Sequence, residues 1–288
     1  MLSAIGLVSS QQTMVNSLEY LTNTWRDRIM SHQILRLLVT KTIVTCITCL
    51  LLFQPSSYAQ DYSLSNSSKF IQLQTKNNNS FVAYSVGPKK SKRGLLLIHG
   101  WWGLNREIKI WADSFATAGY RVMAIDLFNQ QTTSHPKKAQ KLVKSVNQAE
   151  ANEKFVAIIK ALSMPDRKLA VIGRSFGANQ AMHATMVGKD NISATIVYYP
   201  FKEIFPNKKL ITPIKSPVLA HFAKNDYFFP LKMQTQFTSS LKALGTTISY
   251  NIYNARHAFT NPTGKNFNQP AQKLSQQRTQ EFLNIHLN

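Results

Sequence analysis

The segment from Arg167 to Gln180, RKLAVIGRSFGANQ, constrains the chain most, because it has the form of a buried strand that turns sharply into a helix. Its first part, residues 169–172, is short and continuously apolar, which is typical of a central parallel strand covered on both faces. Gly173 and Gly177 then flank Ser175 in a G-x-S-x-G pattern, which permits a tight turn that lifts the serine clear of the backbone. The pattern predicts a nucleophilic serine, although on its own a glycine-tolerant turn between two core elements explains it equally well.

Two partners for this serine follow in the chain. Asp226 ends the apolar stretch that starts at Pro217, and His257 comes shortly after the strand-like stretch 247–253. The order serine, aspartate, histidine is that of α/β-hydrolases, and each side chain follows the carboxyl end of a predicted strand, where ligand chemistry collects. His257 is the candidate base for the serine proton, and Asp226 is the group that would orient it. The alternatives are a turn or helix-capping aspartate and a loop or core histidine.

Strand and helix patterns alternate from residue 69 onwards, which predicts an α/β fold of the α/β-hydrolase type, with a mostly parallel central sheet and helices on both faces. The last predicted helix carries Leu274, Phe282 and Ile285 among its apolar residues. The predicted strands are 69–75 and 81–86 as a hairpin, then 94–98, 120–126, 169–172, 192–199, 217–223 and 247–253; the predicted helices are 106–118, one long helix 136–162, then 178–187, 230–244 and 270–287.

Residues 1–59 resemble a leader more than a part of the fold. The uncharged run 42–53 follows basic residues, and small residues stand at Ser57 and Ala59, which is the pattern of a secretory signal. We therefore expect cleavage before Gln60 and an exported protein, periplasmic or secreted.

The remaining boundaries follow from this leader. Met30 is a candidate for the true start, because the segment before it is unusual for a signal peptide. If the leader is not removed, residues 34–53 are the alternative membrane anchor, and the only membrane contact we expect. Residues 60–68 then form a polar linker, and residues 69–288 form the catalytic domain.

The chain is strongly basic, with 34 Lys and Arg against 13 Asp and Glu and a formal net charge of +21. Such a charge can indicate a nucleic-acid or anionic-membrane partner. No nucleic-acid motif accompanies it, so we predict no nucleic-acid partner. Both cysteines, Cys46 and Cys49, lie in the leader, which leaves the mature chain without a thiol nucleophile.

Four motifs carry a resemblance to a known family: HGWWGLN at 99–105, GRSFGAN at 173–179, KNDYFFP at 224–230 and RHAFTNP at 256–262. From about residue 70 to the end, the chain resembles the dienelactone hydrolase family of α/β-hydrolases. That family typically has cysteine in place of Ser175, and often glutamate in place of Gly100. With both absent, the resemblance implies a serine-esterase form of the site in preference to ring-opening of a dienelactone.

An acyl-transfer site also needs donors for the oxyanion of the tetrahedral intermediate. The backbone N–H of Phe176, the residue after the nucleophile, is the first candidate, and the resemblance implies Trp101 as the second. The Trp102 side chain is a candidate for substrate binding or for packing. Arg174 and Arg256, next to the nucleophile and the base, are candidates for binding a substrate carboxylate, with surface salt bridges as the alternative.

These features predict an exported serine hydrolase, of carboxylesterase or lactonase type, that cleaves a small-molecule ester or lactone through an acyl-serine intermediate. Neither a metal-ligand pattern nor a phosphate-binding loop is present, so no metal or cofactor is expected. A peptidase or an acyltransferase with the same triad stays open, since the motifs encode neither the leaving group nor the acceptor. A non-catalytic envelope-binding protein that retains the fold is the alternative from another class.

Overall fold

The computed structural model describes residues 68–201 and 214–288, and the strands in these ranges form one mostly parallel sheet. Its spatial order is β1-β2-β4-β3-β5-β6-β7-β8. The pairs β1–β2 and β2–β4 are antiparallel, and all the other neighbouring pairs are parallel. The strands are β1 (Lys69–Gln74), β2 (Ser80–Val86), β3 (Arg93–Ile98), β4 (Arg121–Ile125), β5 (Lys168–Arg174), β6 (Ala194–Tyr198), β7 (Val218–Ala223) and β8 (Ile248–Tyr253).

Helices cover both faces of the sheet. Apolar side chains of α2, α3, α4 and α5 pack on one face, and those of α1 and α6 pack on the other. This arrangement confirms the predicted α/β-hydrolase fold class. The helices are α1 (Arg106–Thr117), α2 (Pro136–Lys144), α3 (Gln148–Leu162), α4 (Phe176–Gly188), α5 (Leu231–Ala243) and α6 (Gln269–Leu287), and a short 3-10 turn spans Lys189–Asn191.

The central strands are largely apolar because both faces of the sheet are buried. On β3, Leu96 and Ile98 belong to one core and Leu95 and Leu97 belong to the other. Successive side chains of a strand point to opposite faces, so a strand between two helical layers needs a continuous apolar run. The same rule explains the apolar run that precedes Ser175 on β5. This strand lies between β3 and β6, so its end is in the middle of the sheet.

The prediction of one long helix over 136–162 is wrong, because the structure has two helices that are separated by residues 145–147. The Ser145 hydroxyl donates to the carbonyl oxygen of Leu142 at 2.9 Å. The Asn147 side chain accepts from the backbone N–H groups at the start of α3, as a helix N-cap does. Serine and asparagine offer the backbone these local hydrogen bonds in competition with a continuous helix.

The three apolar residues that the sequence analysis names in the last helix do not form its buried face. Leu274 is 40% exposed and Ile285 is 73% exposed, while Phe282 is half-buried. The buried face of α6 consists largely of small and hydroxyl side chains, because the sheet below it presents polar groups that need partners. Its buried residues are Ala271, Ser275, Thr279, Leu283 and Leu287.

One of these polar groups is His221 on β7, which is completely buried. Its Nδ1 is hydrogen bonded to the Tyr253 hydroxyl at 2.9 Å, and its Nε2 to the Thr279 hydroxyl at 2.9 Å. Burial, with a smaller contribution from the charge of Arg278, lowers the pKa of His221 from 6.5 to about 3. The imidazole is therefore neutral in the folded protein over the whole physiological range.

This histidine is expected to make the protein less stable in acid. The unfolded chain takes up a proton near pH 6.5, whereas folded His221 does so only near pH 3. The free energy of unfolding should therefore fall by several kcal/mol, roughly 3 to 6, between these pH values on account of this group. His221→Gln should be less stable at pH 7, but its difference from wild type should shrink as the pH falls. Urea unfolding at several pH values measures both; a difference that is constant with pH contradicts the prediction.

The predicted leader at 1–59 and most of the linker at 60–68 lie outside the described residues, so these boundaries stay predictions, as does the alternative anchor at 34–53. Within residues 68–201 and 214–288, no helix combines the length and the apolar character needed to cross a membrane.

Candidate active site

Ser175 stands at a sharp turn between β5 and α4, with φ 54° and ψ −122°. Such positive φ values are strained for any residue except glycine. The flanking glycines make this turn possible: a Cβ on Gly173 would lie 2.0 Å from the carbonyl oxygen of Gly177, and a Cβ on Gly177 would lie 2.4 Å from two carbonyl oxygens at the end of β3. The G-x-S-x-G pattern is therefore required by close backbone contacts on both sides of the serine.

The structure brings Ser175, His257 and Asp226 together in one hydrogen-bonded chain. The Ser175 Oγ lies 2.8 Å from His257 Nε2, and His257 Nδ1 lies 2.9 Å from Asp226 Oδ2. Asp226 follows β7 and His257 follows β8, so both come from the carboxyl edge of the sheet, where β5 also ends. The Asp226 carboxylate is almost completely buried, and the imidazole is 10% exposed. This is the arrangement of a nucleophile, a general base and an orienting carboxylate.

Asp226 also shapes the turn that follows it. Its second oxygen, Oδ1, accepts hydrogen bonds from the backbone N–H groups of Phe228 at 2.8 Å and Phe229 at 3.0 Å. Asp226 therefore has both of the roles considered for it: Oδ1 stabilises the turn, and Oδ2 contacts His257. This division leaves Oδ2 in a fixed direction, facing the histidine.

The loop around His257 holds the imidazole from several sides. The Asn266 side chain donates to the His257 carbonyl oxygen at 2.9 Å. The rings of Tyr199 and Phe228 each contact the imidazole edge-on, with centroids 5.0 Å away. Neither ring was among the candidates from the sequence, although the aromatic run directly after Asp226 indicates a ring beside the site at Phe228.

The two candidate oxyanion donors lie on neighbouring segments. The N–H of Phe176 begins α4, where the first turn of a helix has no intrahelical acceptors and the helix dipole favours negative charge. Trp101 lies in the loop between β3 and α1, and the close approach of Gly177 to the end of β3 brings this loop against the serine turn. Gly103, with φ 82°, allows the loop to fold back on itself.

His99 supports this loop from below. It is completely buried; its Nδ1 donates to the Gly100 carbonyl oxygen at 2.7 Å, and its Nε2 accepts from the Leu127 N–H at 3.1 Å. Burial lowers the pKa of His99, which agrees with the neutral tautomer that these two contacts require.

Arg174, a candidate for substrate binding, points into the protein between the sheet and α1. Its guanidinium is stacked on the Trp111 ring, 3.4 Å from the ring centroid, and forms an ion pair with Glu107 at 2.5 Å. Only 6% of the residue is exposed. These contacts tie the strand that bears the nucleophile to α1, and they occupy the charge that a substrate carboxylate would need.

The other two candidates for substrate binding are accessible. Trp102 is half-buried and packs against Trp101, with ring centroids 4.6 Å apart. Arg256 is exposed and lines an open cleft that is rich in asparagine side chains, among them Asn254 and Asn266. Among the residues that the structure describes, no group of three or more His, Cys, Asp or Glu side chains is arranged to hold a metal ion.

A mostly parallel sheet that presents a hydrogen-bonded serine, histidine and aspartate at its carboxyl edge defines an α/β hydrolase. The model of the dienelactone hydrolase family matches residues 81–287, and the chain belongs to this family. It is accordingly an enzyme of the class that hydrolyses ester bonds, which confirms the predicted family and enzyme class.

Individual relatives are distant. Protein usf of Aquifex pyrophilus is 27% identical over 199 residues, which cover 65% of this chain and 84% of that protein. A dienelactone hydrolase-like promiscuous phosphotriesterase from metagenomic libraries is 16% identical, with a TM-score of 0.66 over 76% of this chain and 99% of the other. An esterase of Pyrococcus furiosus is 17% identical, with a TM-score of 0.58 over 79% and 94% of the two chains. At these identities the two structures show a shared fold.

Proposed function

We propose that this enzyme is exported and hydrolyses carboxylic esters, lactones included, through an acyl-serine intermediate on Ser175. The hydrogen-bonded chain from Ser175 through His257 to Asp226 is the observation that supports the mechanism. Export is supported by the signal-like pattern of residues 1–59.

Acylation begins with proton transfer from the serine to the histidine. A serine hydroxyl is a weak nucleophile at neutral pH, and a neutral imidazole 2.8 Å away takes its proton as Oγ attacks the acyl carbon. Asp226 keeps the remaining imidazole proton on Nδ1, so that Nε2 is free to accept. His257 then gives the proton from Nε2 to the leaving alcohol.

The negative oxygen of the tetrahedral intermediate faces the N–H groups of Phe176 and Trp101 in this mechanism. Removing one such donor typically raises the barrier by about 3 kcal/mol, so two of them account for a large part of the acceleration. In the second half of the reaction His257 activates a water molecule, which attacks the acyl-serine and releases the acid.

The proposal is tested by mass spectrometry of the purified protein after treatment with a fluorophosphonate probe. We expect one adduct per chain on Ser175, because only a serine activated by a neighbouring base reacts rapidly with such probes. His257→Gln should be labelled slowly. The control is His135→Gln, which should be labelled like wild type, because His135 is exposed and its side chain makes no capping hydrogen bond. A folded wild-type protein that forms no adduct on Ser175 would rule out the acyl-serine mechanism.

Determining the N-terminal residue of the mature protein tests export in parallel.

A further inference from the structure

Two phenylalanine rings form an apolar wall beside the catalytic histidine. Phe201 and Phe228 are stacked on each other, with centroids 5.2 Å apart and an interplanar angle of 22°. Both rings stand edge-on to the His257 imidazole, Phe228 at 5.0 Å and Phe201 at 6.3 Å. We call this pair the phenylalanine wall.

The wall is held in place by polar groups that belong to the same site. The Asn179 side chain, on the first turn of the helix that follows the nucleophile, accepts from the Phe201 N–H at 2.8 Å and donates to its carbonyl oxygen at 3.4 Å. The Phe228 N–H is held by Asp226. The backbones that carry the rings are therefore positioned by the elements that position the nucleophile and the orienting carboxylate.

The wall also leaves apolar surface open. Phe228 is 38% exposed, and Phe201 is half-buried. On the same loop the Tyr227 ring is 89% exposed, and Leu231, which begins α5, is 44% exposed. Large apolar side chains concentrated beside a catalytic residue indicate a surface that a ligand covers.

The position of the wall determines which part of a substrate it meets. His257 protonates the leaving oxygen from Nε2, so the leaving alcohol must lie against the imidazole during acylation. The rings that flank this imidazole are within reach of the same alcohol, whereas the carbonyl oxygen is directed towards the helix N-terminus at Phe176.

We propose that the phenylalanine wall is the binding site for the leaving alcohol and gives the enzyme a preference for esters of aromatic alcohols over esters of small ones. This inference rests on the acyl-serine mechanism proposed above. An aromatic ring gains contact area and edge-to-face or offset-stacked contacts with Phe201 and Phe228, which a methyl group cannot make.

The test compares benzyl acetate with methyl acetate. Both esters form the same acetyl-enzyme, so kcat/KM, which reports on the steps up to acylation, isolates the contribution of the alcohol. We expect wild type to prefer the benzyl ester by about 10-fold or more. Phe228→Ala should lower kcat/KM for benzyl acetate about 5-fold more than kcat/KM for methyl acetate, because any displacement of His257 affects both esters equally. Phe70→Ala, which removes an exposed ring from the edge strand β1, should leave the preference unchanged.

Two results would overturn the inference. A wild-type preference near 1 means that the wall does not contact the alcohol. Equal losses on both esters in Phe228→Ala mean that the ring only positions His257. Neither result affects the proposed mechanism, which fails separately if Ser175 carries no fluorophosphonate adduct in wild type. Circular dichroism and an adduct on Ser175 in Phe228→Ala show that the variant is folded and keeps an activated serine, whatever its rate of labelling.

Discussion

Replacing Ser175 with alanine is expected to lower kcat/KM for ester hydrolysis by roughly 10⁴-fold to 10⁶-fold. The variant has no oxygen to attack the acyl carbon, and His257 loses the hydroxyl that lies 2.8 Å from its Nε2. The fold should persist, because the serine side chain accepts no capping hydrogen bond and alanine has the same Cβ. Steady-state kinetics and thermal unfolding of the same preparation measure both effects.

Ser175→Gly is the matched control for the backbone. It should be as inactive as Ser175→Ala but more stable by about 1 kcal/mol, because glycine adopts a φ of 54° without strain. Activity within 10-fold of wild type in either variant would contradict the assignment of Ser175 as the nucleophile. A lower melting temperature for the glycine variant than for the alanine variant would contradict the strained geometry of the turn.

Replacing Asp226 with asparagine is expected to lower kcat/KM by roughly 10³-fold to 10⁴-fold. The asparagine carbonyl oxygen takes over the two N–H groups of Phe228 and Phe229, which directs the amide nitrogen towards His257. The imidazole then has to accept at Nδ1 and carry its proton on Nε2, where it cannot take the serine proton. Kinetics with a single ester substrate, together with circular dichroism, measure this loss.

Two aspartate variants separate orientation from turn formation. Asp126 is also buried after a strand and accepts from backbone N–H groups of the following turn, but it does not contact His257. Asp126→Asn should therefore keep most of the activity. Asp226→Ala should be less stable than Asp226→Asn by about 1 to 3 kcal/mol, because it leaves the N–H groups of Phe228 and Phe229 without their acceptor. An Asp226→Asn variant that retains near-wild-type activity would exclude Asp226 from the triad.

Most of the fold could be predicted from local patterns, because the spacing of apolar residues along the chain differs between strands and helices. The apolar runs at β3 and β5 require burial on both faces, and the alternation of strands with helices limits the topology to a mostly parallel sheet. The prediction of one long helix over 136–162 failed because the side chains of Ser145 and Asn147 form local hydrogen bonds that compete with a continuous helix. Which face of α6 is buried is decided by the polar groups of the sheet, which helical periodicity does not reveal.

The chemistry of the candidate site was visible in the sequence to the extent that it depends on residue type and order. Serine, aspartate and histidine each follow a strand, and parallel strands end at a common edge. Arg174 is different, because its position next to the nucleophile in the chain does not determine where its side chain points. In the structure it is stacked on Trp111 and paired with Glu107, away from the serine.

The sequence alone determined the strained serine turn, the chain order of the triad and the parallel sheet, because these depend on backbone sterics and on the period of apolar residues. Only the tertiary structure decided that Asp226 serves both the turn and His257, that Arg174 is buried, and that Phe201 and Phe228 stand together beside the imidazole. These contacts join segments that are distant in the chain, and the packing that brings them together has no periodic signature in the sequence.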